Sequence, residues 1–323
     1  MMRTFASIAL TACALALSNG AAAQPRFDSL VIFGTSLSDP GNFFAVLGGN
    51  NTPPTYLVDP LLVPSVPYAR GGHHFSDGVT WVEQLARSLG MAASAKPALA
   101  NESKKAGNYA VAGARANYTA TGIDLADQTA VFLRDRGNVA NPDALYVVEM
   151  GGNDIRDAVI AFVQPPEGTT PAEAAGAVIR GALESIGQNI GLLYGKGARK
   201  FLVANAPDLG LTPAIRALGA GSLATGLSQS FNAGLEGEEG VLSRLRTDLP
   251  GIEIFQLDIF GKLQAIVEQP ENFGLSNVTA ACITPDVAPY HCKDFKDYLF
   301  WDGIHPTAAA HAIVAQEAAV VLR

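Results

Sequence analysis

Cysteine is nearly absent, three in 323 residues, which excludes a disulfide-built scaffold and leaves too few ligands for a cysteine-rich zinc site. Charge is scarce as well, at 16% against 48% apolar residues, so the chain can bury a large core and lacks the composition of a disordered segment. Basic residues are outnumbered, 22 Lys and Arg against 30 Asp and Glu, and they form no run. That balance argues against nucleic acid or an anionic membrane as a partner. No repeat and no long low-complexity tract interrupts the sequence.

Long apolar runs are missing except at the start. Met1-Met2-Arg3 supplies positive charge, Phe5 to Leu17 is apolar but short for a bilayer, and Ala21-Ala22-Ala23 offers small residues for cleavage. This pattern predicts a signal peptide over 1–23, cut near Ala23, and a secreted or periplasmic product with no transmembrane segment in the mature chain. Leu10-Thr11-Ala12-Cys13 resembles a lipoprotein processing site, which would instead anchor the protein at the outer membrane. The apolar run before Cys13 is short and continues past it, which favours simple cleavage. Losing Arg3 leaves 21 positive and 30 negative charges, a net of −9 in place of −8. Cys282 and Cys292 then remain, ten positions apart, and in an oxidising compartment they are expected to form a disulfide. Two free thiols are the alternative.

The mature residues, 24–323, are expected to form one domain. Leu30-Val31-Ile32-Phe33-Gly34 has the composition of a buried strand closed by a tight turn, and Asn108 to Ala114, Ala144 to Met150, Lys200 to Asn205 and Ile252 to Asp258 repeat that character. Helical spacing covers Val79 to Leu89 with Trp81, Asp124 to Arg136, Ala174 to Tyr194, Ser222 to Leu249 and Ala308 to Leu322. Strands alternating with helices imply an α/β fold: a three-layer α/β/α sandwich around a parallel sheet of about five strands. Gly48 to Gly72, rich in Pro and Gly, is predicted to be a long ordered loop that either walls the substrate pocket or packs on itself. His73 and His74 follow it; without a carboxylate at helical spacing they are taken as loop residues rather than metal ligands.

Polar residues recur where strands end, which is where open α/β sheets place ligands. Ser36, just past the first strand, is either a helix-capping serine or a nucleophile, and the second role needs a base and oxyanion donors elsewhere. Gly113 is either a close turn or a backbone N–H donor. Asn153, after Gly151-Gly152, can donate a side-chain hydrogen bond. Asp302 and His305, three apart in a Gly- and Pro-bounded turn, can form a carboxylate–imidazole pair, a structural turn or half of a metal site.

Taken together, Gly34-Thr35-Ser36-Leu37, Asn108 to Ala114 with Gly113, Gly151-Gly152-Asn153-Asp154 and Asp302-Gly303-Ile304-His305-Pro306 resemble, in order and position, the GDSL or SGNH family of serine hydrolases. The resemblance covers nearly the whole mature chain and implies a flavodoxin-like fold. It also implies Ser36 as nucleophile, His305 as general base, Asp302 as its orienter, and an oxyanion hole of the Ser36 and Gly113 amides with the Asn153 side chain. No metal and no organic cofactor is implied. The substrate class is a small-molecule or lipid ester, with short to medium acyl chains favoured. Lysophospholipase, lipase or acyltransferase activity is the nearest enzymatic alternative, and a glycan- or lipid-binding protein that retains the fold is the alternative of a different class. The chain departs from the family at Thr35, where aspartate is usual. Restoring Asp there is expected to preserve activity.

Overall fold

The computed structural model describes residues 26–323 except Pro54, Asn101, Glu102, Lys104, Thr121 and His291. The expected signal peptide and Cys13 therefore lie outside the described residues. In chain order the elements are β1 (Leu30–Gly34), α1 (Asn42–Val46), α2 (Trp81–Ser88), α3 (Leu125–Asp135), β2 (Leu145–Glu149), α4 (Gly152–Val163), α5 (Pro171–Gly195) and β3 (Lys200–Ala204). There follow α6 (Pro213–Ala217), α7 (Gly221–Glu236), α8 (Val241–Asp248), β4 (Glu253–Leu257), α9 (Ile259–Glu268), β5 (Asn277–Ala281), β6 (Tyr298–Phe300) and α10 (Ala308–Val321).

Strands β1 to β4 form a parallel sheet in sequence order, with Gly34 opposite Glu149 and Glu149 opposite Ala204. Side chains alternate between its faces, so Leu30 and Ile32 meet α2 and α10, whereas Val31 and Phe33 meet the layer of α3, α4, α5 and α7. Both faces are covered, which is why these strands are apolar almost without interruption. A separate parallel pair, β5 and β6, leads the chain into the turn before α10.

Two sequence expectations change in detail. The Asn108 segment runs beside β1, with Ile32 N–H donating to Gly107 O at 2.8 Å and Tyr109 N–H to Ile32 O at 2.7 Å, but it forms bridges rather than a continuous strand. Side chains take over its ladder groups: Asn42 Nδ2 donates to Asn108 O and Ala110 O, both at 2.8 Å. The expected helix from Ser222 to Leu249 is two helices, α7 and α8, because the chain turns between Gly237 and Gly240, where a Cβ on Gly240 would lie 2.8 Å from Leu235 O. Cys282 and Cys292 are joined as a disulfide beside Tyr68, Ile283 and Trp301.

Candidate active site

The turn after β1 carries Ser36, and the turn after β6 carries Asp302 and His305; the two meet at the carboxyl end of the sheet. Ser36 Oγ lies 2.9 Å from His305 Nε2, and His305 Nδ1 lies 2.8 Å from Asp302 Oδ2. A carboxylate has no proton to give, so Nδ1 carries the hydrogen and Nε2 is free to accept from the serine. Asp302 and His305 are buried while Ser36 is half-buried, an arrangement that keeps the pair dry and the hydroxyl reachable.

Asp302 is held from four directions. The backbone N–H groups of Ile304 and His305 donate to Oδ1 at 3.0 and 2.8 Å, and Tyr68 donates its hydroxyl to Oδ2 at 2.7 Å beside the His305 bond. Burial and the adjacent carboxylate push the Tyr68 phenol well above its usual range, so it remains a donor. Tyr68→Phe is expected to lower kcat about tenfold and to cost about 2 kcal/mol in urea unfolding, the worth of a hydrogen bond to a charged group. An unchanged kcat and midpoint would mean that the hydroxyl orients nothing.

The three donors expected for an oxyanion hole each keep an N–H without an acceptor among the described residues. Neither the Ser36 N–H nor the Gly113 N–H bonds any acceptor among the described residues. Asn153 Nδ2 uses one hydrogen on Ala114 O at 2.8 Å and keeps the other. Gly113 has φ of 80°, a left-handed conformation that favours glycine. The adjoining loop is fixed by Asp154, which accepts from Ala116 and Asn117 N–H at 2.9 and 3.0 Å, and by Arg115, which donates to Asp157 at 2.8 and 3.1 Å. Ser36, Asn153 and His305 line one cavity of about 110 Å³, whose walls include Leu61, Ile215, Leu263, Ile266 and Val314. Gly113 does not line this cavity; it precedes Ala114, whose carbonyl accepts from Asn153.

The histidine pair is not a bare loop feature. His73 stacks on Phe44 with ring centroids 3.7 Å apart, while His74 is buried with Nδ1 on Gly71 O at 2.7 Å and Nε2 on Glu83 at 2.8 Å. Both ring nitrogens of His74 face acceptors; burial opposes its charged form, and the bonds to Glu83 and Gly71 outweigh that and push its pKa up. The partner carboxylate lies nine positions on, in α2, outside any single-helix spacing.

His311, in α10, also lines the cavity, and its Nε2 has no partner among the described residues. Burial, with His74 and His305 nearby, pushes it down to about 3 from 6.5. A depressed histidine stabilises the fold above its unfolded pKa and loses that contribution as pH falls. Between about pH 7.5 and about pH 5 the loss from this group is about 2 kcal/mol. His311→Leu is therefore expected to lose less stability over that interval than the wild type in urea unfolding at both pH values. Equal losses would contradict a neutral His311.

Sequence reasoning missed Tyr68 and Glu149. Nothing distinguished Tyr68 among the aromatics of its Pro-rich loop. Glu149 left a signal, a carboxylate closing the otherwise apolar run Leu145-Tyr146-Val147-Val148, and it is 2% exposed.

A parallel sheet between helical layers, with serine, imidazole and carboxylate linked at its carboxyl edge beside an apolar cavity, defines an α/β acyl hydrolase. The chain belongs to the GDSL-like lipase/acylhydrolase family, whose model matches residues 30–318, and it is a carboxylic ester hydrolase of that type. Among relatives in Arabidopsis thaliana, GDSL esterase/lipase At5g42170 is 26% identical over 89% of this chain and 84% of its own length. GDSL esterase/lipase At1g71691 is 25% identical over 90% and 81%. GDSL esterase/lipase At5g63170 is 30% identical over 53% and 50%. The extracellular lipase of Streptomyces rimosus is a structural neighbour at 15% identity and a TM-score of 0.39, covering 90% of this chain and 99% of that one.

Proposed function

We propose that this protein is a secreted serine carboxylesterase acting on short to medium acyl esters through an acyl-enzyme, with residues 24–323 as one catalytic domain. The observation that carries this reading is the Ser36–His305–Asp302 hydrogen-bond chain at the mouth of an apolar cavity. Ser36 Oγ attacks the ester carbonyl as His305 Nε2 takes its proton, and Asp302 stabilises the imidazolium that forms. The Ser36 and Gly113 amides and Asn153 Nδ2 hold the oxyanion. Collapse of the tetrahedral intermediate expels the alcohol, which receives the proton from His305. Water then repeats the sequence on the acyl-enzyme, releasing the acid and restoring Ser36. None of these steps calls for a metal or an organic cofactor.

The cavity of about 110 Å³ supports a limited acyl length, being well below the roughly 300–1,000 Å³ of pockets for drug-sized ligands. The disulfide and the apolar leader with its small-residue cleavage site support secretion. Hydrolysis of p-nitrophenyl esters from acetate to palmitate tests the substrate range, with a lysophospholipid in parallel. A maximum at short or medium chains is expected; a maximum at palmitate, or faster turnover of the lysophospholipid, would replace this reading with a lipid esterase. Asn153→Ala is expected to lower kcat ~10²–10³-fold with an unchanged melting temperature, the usual effect of losing one side-chain oxyanion donor. Wild-type activity in that variant would remove Asn153 from the hole.

A further inference from the structure

Glu149 is a buried carboxylate directly beneath the turn that bears Ser36. It closes β2 opposite Gly34, where an added Cβ would lie 3.1 Å from Oε2 and 2.9 Å from Ser38 Cβ, so the glycine leaves room for it. Its oxygens accept from Thr35 N–H at 3.1 Å, from Thr35 Oγ1 at 3.0 and 3.1 Å, and from Ser38 Oγ at 3.0 Å. Neighbouring groups settle the direction of these bonds. Trp81 Nε1 donates to Ser38 Oγ at 3.1 Å and Leu37 N–H to Thr35 Oγ1 at 3.3 Å, so both hydroxyls send their own protons to Glu149. No Lys, Arg or His pairs with Glu149 among the described residues. Hydroxyl and amide donors alone converge on it, while burial pushes the carboxyl up to about 7 against their pull.

We propose that Glu149 is the positioning residue of the nucleophile turn: by tying Thr35 and Ser38 to one side chain, it fixes the Thr35–Ser36 peptide so that the Ser36 N–H is presented to the oxyanion. The preceding Gly34–Thr35 peptide is held through Thr35 N–H on Glu149, and the Thr35–Ser36 peptide itself is held through Thr35 O, which accepts from Ser38 N–H at 3.0 Å. Within residues 35–38 only the Ser36 N–H is left without an acceptor among the described residues. The inference rests on Ser36 being the nucleophile.

The same geometry implies that the turn holds one carboxylate and not two. Aspartate at position 35 would stand against Glu149 where Thr35 Oγ1 now donates, and two carboxylates about 3 Å apart cannot both ionise. The structure thus gives a reason to expect loss of activity from Thr35→Asp, the reverse of the expectation from sequence. Neutralising Glu149 in that variant returns the count of carboxylates to one.

Steady-state kinetics on a p-nitrophenyl ester tests this with Glu149→Gln, Thr35→Asp, the double variant, Thr35→Val and Ser36→Ala. Misaiming one of three oxyanion donors is expected to lower kcat about tenfold or more in Glu149→Gln, with KM changed less than about threefold. Thr35→Asp is expected to lose more, and Thr35→Asp/Glu149→Gln to recover at least about tenfold over it. Thr35→Val, which keeps the shape and loses the hydroxyl, keeps the proposal testable should Glu149→Gln not fold, and its kcat is expected to fall with KM retained. The proposal is overturned if Thr35→Asp matches the wild type, if the double variant is no better than Thr35→Asp, or if Thr35→Val and Glu149→Gln keep full kcat. Hydrolysis surviving in Ser36→Ala would instead overturn the parent reading, whatever Glu149 does.

Discussion

Ser36→Ala is expected to lower kcat by about 10⁴-fold or more while leaving the fold intact. The hydroxyl removed is half-buried and makes a single hydrogen bond, to His305 Nε2 at 2.9 Å, so little packing is lost with it. On the proposed mechanism, what disappears is the atom that forms the acyl-enzyme. In serine hydrolases that loss is among the largest any one residue produces, and the remainder comes from substrate binding and the oxyanion donors. Turnover of a p-nitrophenyl ester, with circular dichroism and a melting curve as controls, checks it. A folded variant within tenfold of the wild type would place the chemistry elsewhere.

Asp302→Asn is the second large effect, about 10⁴-fold in kcat, the scale known for this change in serine–histidine–aspartate enzymes. The carboxylate accepts both the His305 Nδ1 proton and the Tyr68 hydroxyl through Oδ2, while Oδ1 holds the Ile304 and His305 amides. An asparagine can keep the two amide bonds through its carbonyl oxygen. Its amino group then faces Nδ1 and Tyr68 O–H, both donors, so the imidazole is driven to the tautomer whose Nε2 carries hydrogen and cannot accept from Ser36. The expected signature is a lost kcat with a melting temperature within a few degrees of the wild type. A loss below about tenfold would show that Asp302 does not set the tautomer.

The parts of this site legible in the sequence are those whose local pattern carries the chemistry. Alone, the strand closed by Gly34 left Ser36 readable as a helix cap, and Asp302 three positions before His305 left a structural turn open; the resemblance of four segments together to the GDSL family singled these residues out. Parallel strands place the turns after β1 and β2 at one end of the sheet, but the Asp302–His305 turn follows β6 of a separate pair, and its meeting with Ser36 is seen only in the structure. Tyr68 was not legible because its partner lies 234 positions away and its loop has no periodicity to fix a direction. His74 lies in a loop as expected, but its carboxylate partner was not legible because it sits in the next helix rather than at helical spacing. The Asn108 strand was only half right: backbone pattern cannot show that the Asn42 amide will occupy its carbonyls. The helix predicted across Gly237 to Gly240 failed because apolar spacing continued on both sides of a glycine-bounded break.

The departure at Thr35 shows how a missing residue can be explained only in three dimensions. Sequence alone led to the expectation that aspartate could be restored there without loss. In the structure the Thr35 hydroxyl is one of the donors to a carboxylate supplied by the neighbouring strand. A carboxyl group is therefore present beneath the turn, carried by Glu149.

The central claim is that Ser36 is an activated nucleophile, and covalent capture tests it most directly. The wild-type protein, treated with a fluorophosphonate and read by intact and peptide mass spectrometry, is predicted to gain one adduct, on the peptide containing Ser36, with parallel loss of esterase activity. Ser36→Ala is predicted to gain none. An adduct on another residue, or full hydrolysis of ester by protein that takes no label, would contradict the account.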